Sequence, residues 1–324
     1  MISLFFINVI SLFFIKKYII SIYISNMFLI KSFEYFKKYQ INLSEKNIKI
    51  NNICWSYYDS GNNKDNKPIV IILHGFQSNK KFIWYPLIKN LTNNFRIIIP
   101  DMIGHGDTKI LSNIDTFDFT LLHLVYQLKY FINSVIGNKN QFHLIGSSFG
   151  GLMASILAAT YQKQVLSLTL YSPYGINIVD SVISDIYKQY NKNLLIPNTR
   201  EEHNLLKSLI FYNKPVFDNK IISEYLFKYH NQKKYIYLKI LYNSIINNSN
   251  ILKRYVKLIK QPVLIIWGKN DNILNVKNIH YFKKNMSNNL STYIVDKCGH
   301  LVQYEYSDLC AKLTKNHILR SYKK

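Results

Sequence analysis

The sequence is poor in cysteine, glycine and proline, the residues on which stapled, fibrous or disordered chains depend. It has 3 cysteines, 11 glycines and 7 prolines in 324 residues, against 48% hydrophobic residues. Three cysteines spread over the chain predict neither a disulfide framework nor a metal cluster, and they suit a reducing compartment. The composition excludes a collagen and a disordered chain, and it supplies enough apolar side chains for one large core.

Acidic residues and arginine are also scarce. The chain has 18 Asp and Glu residues against 41 Lys and Arg residues, which gives a formal net charge of +23. Nearly all of the basic residues are lysines, scattered among Asn, Ile and Tyr. Nucleic-acid readers use arginine forks and basic stripes, so no nucleic-acid partner is predicted. Attraction to an anionic membrane surface is the role that such a charge favours.

No uninterrupted apolar run near the amino terminus reaches the length of a bilayer span. Met1–Phe14 and Tyr18–Ile30 are apolar, and Lys16 and Lys17 separate them. Each run is shorter than the about 18–20 residues needed to cross a membrane, so a span must use parts of both. Because more lysines follow the second run, the positive-inside rule would hold the rest of the chain in the cytosol.

We therefore predict an N-terminal membrane anchor over residues 1–30, followed by a basic linker over residues 31–44. Two alternatives remain open. A cleaved secretory signal would normally carry a charged n-region and a small-residue cleavage site, and neither is evident. A helix lying in the membrane interface is the other alternative. The sequence does not indicate which organelle would hold the anchor.

From about residue 45 the sequence alternates strand-like and helix-like segments. Short, nearly continuous apolar runs are typical of strands buried on both faces. Their alternation with helices predicts right-handed crossovers and a mostly parallel central sheet flanked by helices, after an initial antiparallel pair. The predicted strands are Ile48–Ile50, Cys54–Tyr58, Ile69–Leu73, Ile97–Pro100, Phe142–Ile145, Val165–Leu170, Val263–Trp267 and Asn289–Val295, and the predicted helices are Trp84–Leu91, Leu121–Ile136 and Leu152–Tyr161.

The alternation stops over residues 173–259, where only helical patterns occur. We interpret this segment as a helical cap inserted before the last two strands, so that residues 45–172 and 260–324 form the core. The predicted cap helices are Val179–Tyr190, Glu201–Phe211, Ile221–Tyr229 and Tyr237–Ile246.

One glycine-rich motif carries the chemistry. Residues Gly146 to Gly150 read G-S-S-F-G, a G-x-S-x-G pattern between a predicted strand and a predicted helix. This is the context of a nucleophile elbow, a sharp turn that exposes a serine, here Ser148. The turn forces unusual dihedral angles on the serine, and Gly146 and Gly150 keep the flanking positions free of bulky side chains. The alternative is a helix N-cap serine after a glycine turn.

A serine hydroxyl needs a base, and the base needs a carboxylate to hold it in one tautomer. In nucleophile-elbow enzymes the acid and then the histidine follow the serine along the chain. Asp271 follows the predicted strand that ends at Trp267, and His300 follows the last predicted strand. Asp271 and His300 are therefore the predicted orienting acid and base. Asp296 lies too near His300 to be preferred, and His280 and His317 are predicted to be surface or packing residues.

The intermediate formed on the serine carries an oxyanion that needs preorganised N–H donors. The backbone N–H groups of Phe76, after the strand ending at Leu73, and of Phe149 are the predicted donors. We expect His74 to support its loop by hydrogen bonds rather than to act in catalysis. Asp101 and His105 could suggest metal ligation, but no matching set of ligands accompanies them, so we predict structural scaffold and no metal site.

Together these motifs resemble the α/β-hydrolase superfamily, from about Ile48 to the C-terminus. Within it the chain is similar to the membrane-anchored monoacylglycerol lipases of the α/β-hydrolase-domain group. The supporting stretches are His74–Phe76, Gly146–Gly151, Ile196–Glu202, Ile265–Asp271 and Cys298–His300. The resemblance implies an α/β-hydrolase fold, a Ser148–Asp271–His300 triad and an oxyanion hole at Phe76 and Phe149.

The predicted function is a serine hydrolase of lipid esters, with monoacylglycerol as the expected substrate and an acyl-enzyme on Ser148. No cofactor and no obligate protein partner are implied; the expected partners are the lipid ester and the membrane. Two alternatives remain: a carbon–carbon bond hydrolase of the ring-cleavage type, and a non-catalytic receptor or scaffold on the same fold. Acyl chain length, oligomeric state and physiological role are not indicated.

Overall fold

The computed structural model describes residues 43–61, 67–80, 83–190, 193–213, 235–286 and 289–321, all within one unit that begins at Leu43. The predicted anchor, nearly all of the predicted linker and the predicted helix Ile221–Tyr229 lie outside the described residues. Among the residues that are described, no helix combines the length and the apolar character that a bilayer span requires.

The described strands form one sheet, in the order β1-β2-β4-β3-β6-β7-β8-β9, with β5 paired to β2. Pairings that involve β2 are antiparallel, and every pairing from β4 to β9 is parallel. β1 lies at one edge of the sheet and β9 at the other. The strands are β1 Ser44–Ile50, β2 Ile53–Asp59, β3 Ile69–Leu73, β4 Arg96–Pro100, β5 Lys109–Ile110, β6 Phe142–Ser147, β7 Val165–Tyr171, β8 Val263–Gly268 and β9 Leu290–Val295.

Two groups of helices cover the sheet. Helices α2 and α3 pack together, and α3 lies against β6 and β7. Helices α1, α9 and α10 form the second group, in which α10 packs on β7 and β8. The helices are α1 Tyr85–Ile88, α2 Leu121–Ile136, α3 Phe149–Thr160, α4 Val182–Tyr190, α5 Arg200–Ile210, α6 Tyr235–Ile246, α7 Leu252–Tyr255, α8 Ile279–Asn285, α9 Val302–Glu305 and α10 Ser307–Ser321.

This architecture confirms the predicted mostly parallel sheet and its initial antiparallel pair. All residues of β4, β6 and β8 are buried, as expected for strands covered on both faces. Apolar side chains from these strands and from α2 and α3 form one continuous core cluster.

Every regular element described between β7 and β8 is a helix, as expected for the predicted insertion. It contains α4, α5, α6 and α7. Helix α5 begins with a capping box: the Thr199 hydroxyl accepts from the Glu202 N–H, and the Glu202 carboxylate accepts from the Thr199 N–H. Apolar side chains of the insertion, including Leu209 and Leu241, are buried in the core cluster, so many of them serve packing.

Several local features differ from the sequence predictions; the predicted helix Trp84–Leu91, for example, is shortened to Tyr85–Ile88. Helix α3 begins at Phe149 rather than Leu152, because it starts directly after the turn at Ser148. Helix α10 and the two-residue strand β5 were not predicted. Helix α10 buries few residues and shows weak amphipathic character, so its sequence gives little periodic signal.

Two neighbouring histidines, His143 in β6 and His317 in α10, lie away from the glycine-rich motif. The His143 Nδ1 lies 2.7 Å from the Ser167 Oγ, and His143 is fully buried. Burial, with the nearby His317, lowers the pKa of His143 to about 3. Burial also lowers the pKa of His317 to about 4. Both rings are therefore neutral in the folded protein at neutral pH.

We predict that His143 makes the fold acid-sensitive. Its pKa is lower in the folded state than the ordinary value of about 6.5, so its contribution to stability is present above pH 6.5 and is lost as the pH falls towards 3. His143→Asn can keep the bond to Ser167 but cannot be protonated. Whatever stability it loses relative to wild type at pH 7, we expect the difference in unfolding free energy between the two proteins to be smaller by about 2 kcal/mol at pH 4.5. Urea unfolding at several pH values measures it.

The exposed His280 provides the control. His280→Asn should follow the wild-type pH dependence within experimental error, because it replaces a histidine on the surface of α8 and leaves the contacts of His143 unchanged. A pH-independent stability difference between wild type and His143→Asn would contradict the prediction.

Candidate active site

Ser148 occupies a strained turn between β6 and α3. Its backbone dihedral angles are φ 52° and ψ −117°, a region that residues with a side chain rarely adopt. The Ser148 N–H donates to the Tyr171 carbonyl at 2.9 Å, and the Ser148 carbonyl accepts from the Tyr174 N–H at 3.0 Å. These bonds to the end of β7 hold the turn in place. A strained turn between a strand and a helix is what the predicted nucleophile elbow requires, and the role of Ser148 as nucleophile stays a prediction.

The two glycines of the motif are required by close backbone approach. A Cβ at Gly146 would lie 2.4 Å from the Gly150 carbonyl oxygen, and a Cβ at Gly150 would lie 2.2 Å from the Leu73 carbonyl oxygen. Contacts this short are repulsive, so any side chain at either position would displace the elbow or β3. The predicted reason for both glycines agrees with this packing.

Asp271 and His300 are in direct contact. The His300 Nδ1 lies 2.7 Å from the Asp271 Oδ2, and both side chains are buried. A carboxylate only accepts hydrogen bonds, so the Nδ1 carries the proton and the Nε2 is left as an acceptor. This is the tautomer that a general base of a serine nucleophile needs.

The Asp271 carboxylate is fixed by its own end of β8. Its Oδ1 accepts from the N–H groups of Ile273 and Leu274, each at 2.9 Å, and its Oδ2 accepts from the Trp267 Nε1 at 2.9 Å. From the sequence, Trp267 was predicted only to end a strand. Its position four residues before Asp271 could have indicated the hydrogen bond, because a buried indole N–H needs an acceptor.

Ser148, Asp271 and His300 all follow parallel strands at their carboxyl ends, namely β6, β8 and β9. The carboxyl ends of parallel strands lie along one edge of a sheet, where α/β proteins place their sites. The segment that carries His300 also contacts the elbow, because the Gln303 side-chain amide donates to the Ser147 Oγ at 3.0 Å.

The loop after β3 lies against the elbow. A Cβ at Gly75 would lie 3.4 Å from the Ser148 Cβ, so Gly75 is within van der Waals contact distance of the serine. Phe76 is the next residue along the chain. The rings of Phe76 and Phe149 both contact His105, with centroids 5.7 and 6.2 Å from the centroid of its ring. Both predicted oxyanion donors therefore belong to segments that flank the serine, and their donation to substrate stays a prediction.

His74 and His105 hold the loops around the elbow. The His74 Nδ1 lies 2.8 Å from the Gly75 carbonyl oxygen, and its Nε2 accepts from the Met102 N–H at 3.0 Å. The His105 Nε2 accepts from the Gln77 N–H at 3.2 Å. These contacts are the loop support predicted for His74 and the scaffold role predicted for His105. No group of three potential metal ligands is found within the described part of the chain.

A fully buried lysine, which sequence reasoning missed, joins the same loops. The Lys80 Nζ lies 2.8 Å from Asp101, 2.9 Å from Asp107 and 2.9 Å from Glu45, and it donates to the Ser56 hydroxyl at 2.9 Å. Burial alone would lower the pKa of Lys80, but the charge of Asp101 and the surrounding hydrogen bonds raise it above its ordinary value. Asp101 is thus an ion-pair partner of Lys80.

The competing residues considered from the sequence lie elsewhere. Asp296 is exposed and pairs with Lys269 at 2.7 Å. His280 is exposed on α8, and His317 is half-buried in the C-terminal half of α10. Cys298 is buried next to the His300 loop, and burial together with the nearby Glu305 raises the pKa of its thiol, so it stays protonated at neutral pH.

Comparison with known proteins identifies the family to which this fold corresponds. The sequence pattern of the alpha/beta hydrolase fold family matches residues 68–306. Monoacylglycerol lipase ABHD6 of Mus musculus is 32% identical over 257 residues, which cover 76% of this chain and 74% of that protein. Lipase 1 of Psychrobacter immobilis is 25% identical over 254 residues, 78% of this chain and 76% of that protein. A crystal structure of a bacterial membrane phospholipase A superimposes with a TM-score of 0.83 at 22% identity and covers 94% of both chains.

The strain at Ser148 makes a stability prediction. Glycine tolerates the dihedral angles of Ser148, whereas alanine retains the Cβ that makes them costly. We expect Ser148→Gly to be more stable than Ser148→Ala by about 1 kcal/mol in urea unfolding. At Ser155, inside α3, the order should reverse, with glycine about 1 kcal/mol less stable than alanine. The same order at both positions would contradict strain at the elbow.

Proposed function

The chain belongs to the α/β-hydrolase family, and from this premise we propose that it hydrolyses carboxylic esters of lipids, with monoacylglycerols as the expected substrates. The observation that carries the proposal is the buried Asp271–His300 hydrogen bond, at the same edge of the parallel sheet as the strained Ser148. The similarity to monoacylglycerol lipase ABHD6 and to a bacterial lipase supports a lipid ester as the substrate.

The proposed reaction uses Ser148, His300 and Asp271 as a triad. The Ser148 Oγ attacks the ester carbonyl carbon while the His300 Nε2 takes its proton, and Asp271 stabilises the imidazolium that forms. The tetrahedral intermediate collapses to an acyl-enzyme, and His300 returns the proton to the departing alcohol. Water then attacks the acyl-enzyme with His300 as base, which releases the fatty acid and restores Ser148.

We assign the oxyanion hole to the backbone N–H groups of Phe76 and Phe149. Phe149 is the first residue of α3, where the helix dipole also favours negative charge. Loss of one such donor typically lowers kcat by about 10²–10³-fold. The proposed chemistry needs no cofactor and no metal, because the base, the nucleophile and the oxyanion donors all belong to this chain.

Association with a membrane is part of the proposal. Residues 1–30 supply apolar length for an anchor, and the net charge of +23 favours an anionic surface. An anchored enzyme would receive its amphiphilic substrate from the plane of the bilayer, with the catalytic residues on the cytosolic side.

Activity-based labelling tests the proposed chemistry. We expect a fluorophosphonate probe to label the wild type, and monoacylglycerols to compete with the label and to release fatty acid. Ser148→Ala should abolish labelling and lower fatty acid release at least about 10³-fold, because the nucleophile is lost. Ser155→Ala, which changes a buried serine further along α3, should remain within about threefold of wild type.

Each negative result of this test leads to a different conclusion. Labelling without release of fatty acid from any monoacylglycerol or lysolipid would exclude the lipase function. Preferential cleavage of a carbon–carbon bond in a vinylogous diketone would identify the ring-cleavage alternative. No labelling of the wild type would favour a non-catalytic role.

The membrane proposal has its own test. We expect the full chain to stay in the membrane pellet after alkaline carbonate extraction and to retain its N-terminal residues by mass spectrometry. Release by carbonate would indicate an interfacial helix rather than a span. A shortened N-terminus would indicate a cleaved signal.

A further inference from the structure

The loop that carries His300 is bonded to the inserted helical segment as well as to the core. The His300 N–H donates to the carbonyl of Ile210, the last residue of α5, at 2.7 Å. The neighbouring Gly299 N–H donates to the Glu305 Oε1 at 2.8 Å. The backbone on the N-terminal side of the His300 Cα is therefore fixed by groups other than Asp271.

Glu305 connects this loop to the insertion through a single carboxylate. Besides Gly299, its Oε1 accepts from the Tyr212 N–H at 3.3 Å. Its Oε2 accepts from the Asn213 N–H at 2.9 Å and from the Asn213 side-chain amide at 3.3 Å. The three backbone donors come from two segments that are 86 or more residues apart in sequence, which makes the carboxylate a bridge.

The two segments also touch through their backbones. A Cβ at Gly299 would lie 2.4 Å from the Ile210 carbonyl oxygen and 2.8 Å from the Tyr212 N. Beside this contact the rings of Phe211 and Tyr304 meet edge to face, with centroids 5.6 Å apart. Residues 210–213 are thus packed directly on the His300 loop, and glycine at 299 is what permits it.

We propose that Glu305 is a positioning residue that makes the orientation of His300 depend on the docking of residues 210–213. The inference rests on the proposed function of His300 as the base. The imidazole must keep its Nδ1 on Asp271 while its Nε2 reaches the nucleophile, and displacements of about 1 Å in such a geometry can cost about 10² in rate. A substrate that disturbs the insertion would act on the base through this bridge.

The bridge requires two acceptor oxygens. In the carboxylate, Oε1 accepts from Gly299 and Tyr212 and Oε2 accepts from Asn213, whereas the amide of glutamine would turn an NH₂ group towards one of these two sets of donors. Glu305→Gln should therefore keep the bonds of only one oxygen, and Glu305→Ala should lose the bonds of both. Asp308, exposed at the start of α10, serves as the matched control, because Asp308→Asn removes a nearby charge without touching the bridge.

Kinetics per active site provide the first test. With active sites counted by fluorophosphonate titration, we expect kcat on a soluble short-chain ester to fall about 10–100-fold in Glu305→Ala and less in Glu305→Gln. KM should stay within about threefold, and Asp308→Asn should match wild type. A kcat per titrated site within threefold of wild type for both Glu305 variants would overturn the proposal.

Amide hydrogen exchange provides the second test and applies even if Glu305→Ala folds poorly. In the wild type, the amides of Gly299 and Asn213 should show similar protection and similar dependence on denaturant, because one carboxylate holds both. In Glu305→Gln, exchange should accelerate in at least one of the two segments, and in Glu305→Ala in both. Independent protection of the two amides in the wild type would overturn the coupling.

The two tests separate this inference from the proposed function. A wild type that hydrolyses no ester would remove the proposed function, while the exchange result would still show whether the bridge exists. Hydrolysis that depends on Ser148 but not on Glu305 would keep the proposed function and reject the positioning role.

Discussion

The Asp271 carboxylate is the group around which the site is arranged. It is buried, and four hydrogen bonds satisfy it: two from backbone N–H groups, one from an indole and one from His300. A buried carboxylate without such donors would be strongly destabilising, so this arrangement allows an ionised group to remain beside the imidazole. The charge in turn fixes the histidine tautomer, and with it the chemistry available to Ser148.

Other buried charges near the site are also compensated by partners from distant parts of the chain. Lys80 is fully buried, and its charge is compensated by carboxylates from β1 and from the loop after β4. The buried pair of Arg96 and Asp59 provides a similar link, with nitrogen–oxygen distances of 2.9 and 3.0 Å between two strands. Each such charge restricts the loops to arrangements that keep it paired, because removal of one partner leaves an uncompensated buried charge.

The features that the sequence predicts well are those with a local signal. The strand Ile69–Leu73 and the helix Leu121–Ile136 agree with the structure at both ends, because a continuous apolar run and a 3.6-residue period are properties of neighbouring residues. The turn at Ser148 could be predicted equally well, because the close backbone contacts that require its two glycines involve residues of the motif itself and of the neighbouring strand.

Residues whose role depends on distant partners were not predicted. Lys80 is one of many lysines in the sequence, and nothing near it indicates that Glu45, Asp101 and Asp107 will surround it. Glu305 follows the histidine motif by five residues, but its partners at 212 and 213 lie in the segment that follows α5, far away in the sequence. Such contacts arise only once the chain is folded, so the acid–base pair could be found from spacing and its supports could not.

The position of β1 at the edge of the sheet bears on how copies of this chain meet. An edge strand exposes backbone groups that can recruit a strand from another molecule. Here β1 carries charged side chains that form ion pairs within their own molecule. Glu45 pairs with Lys80, and Lys46 pairs with Asp59 at 2.9 Å. A second copy approaching this edge would have to dehydrate those charges and the exposed Lys49 while both molecules carry a large positive charge. The edge is thereby protected against strand-to-strand aggregation.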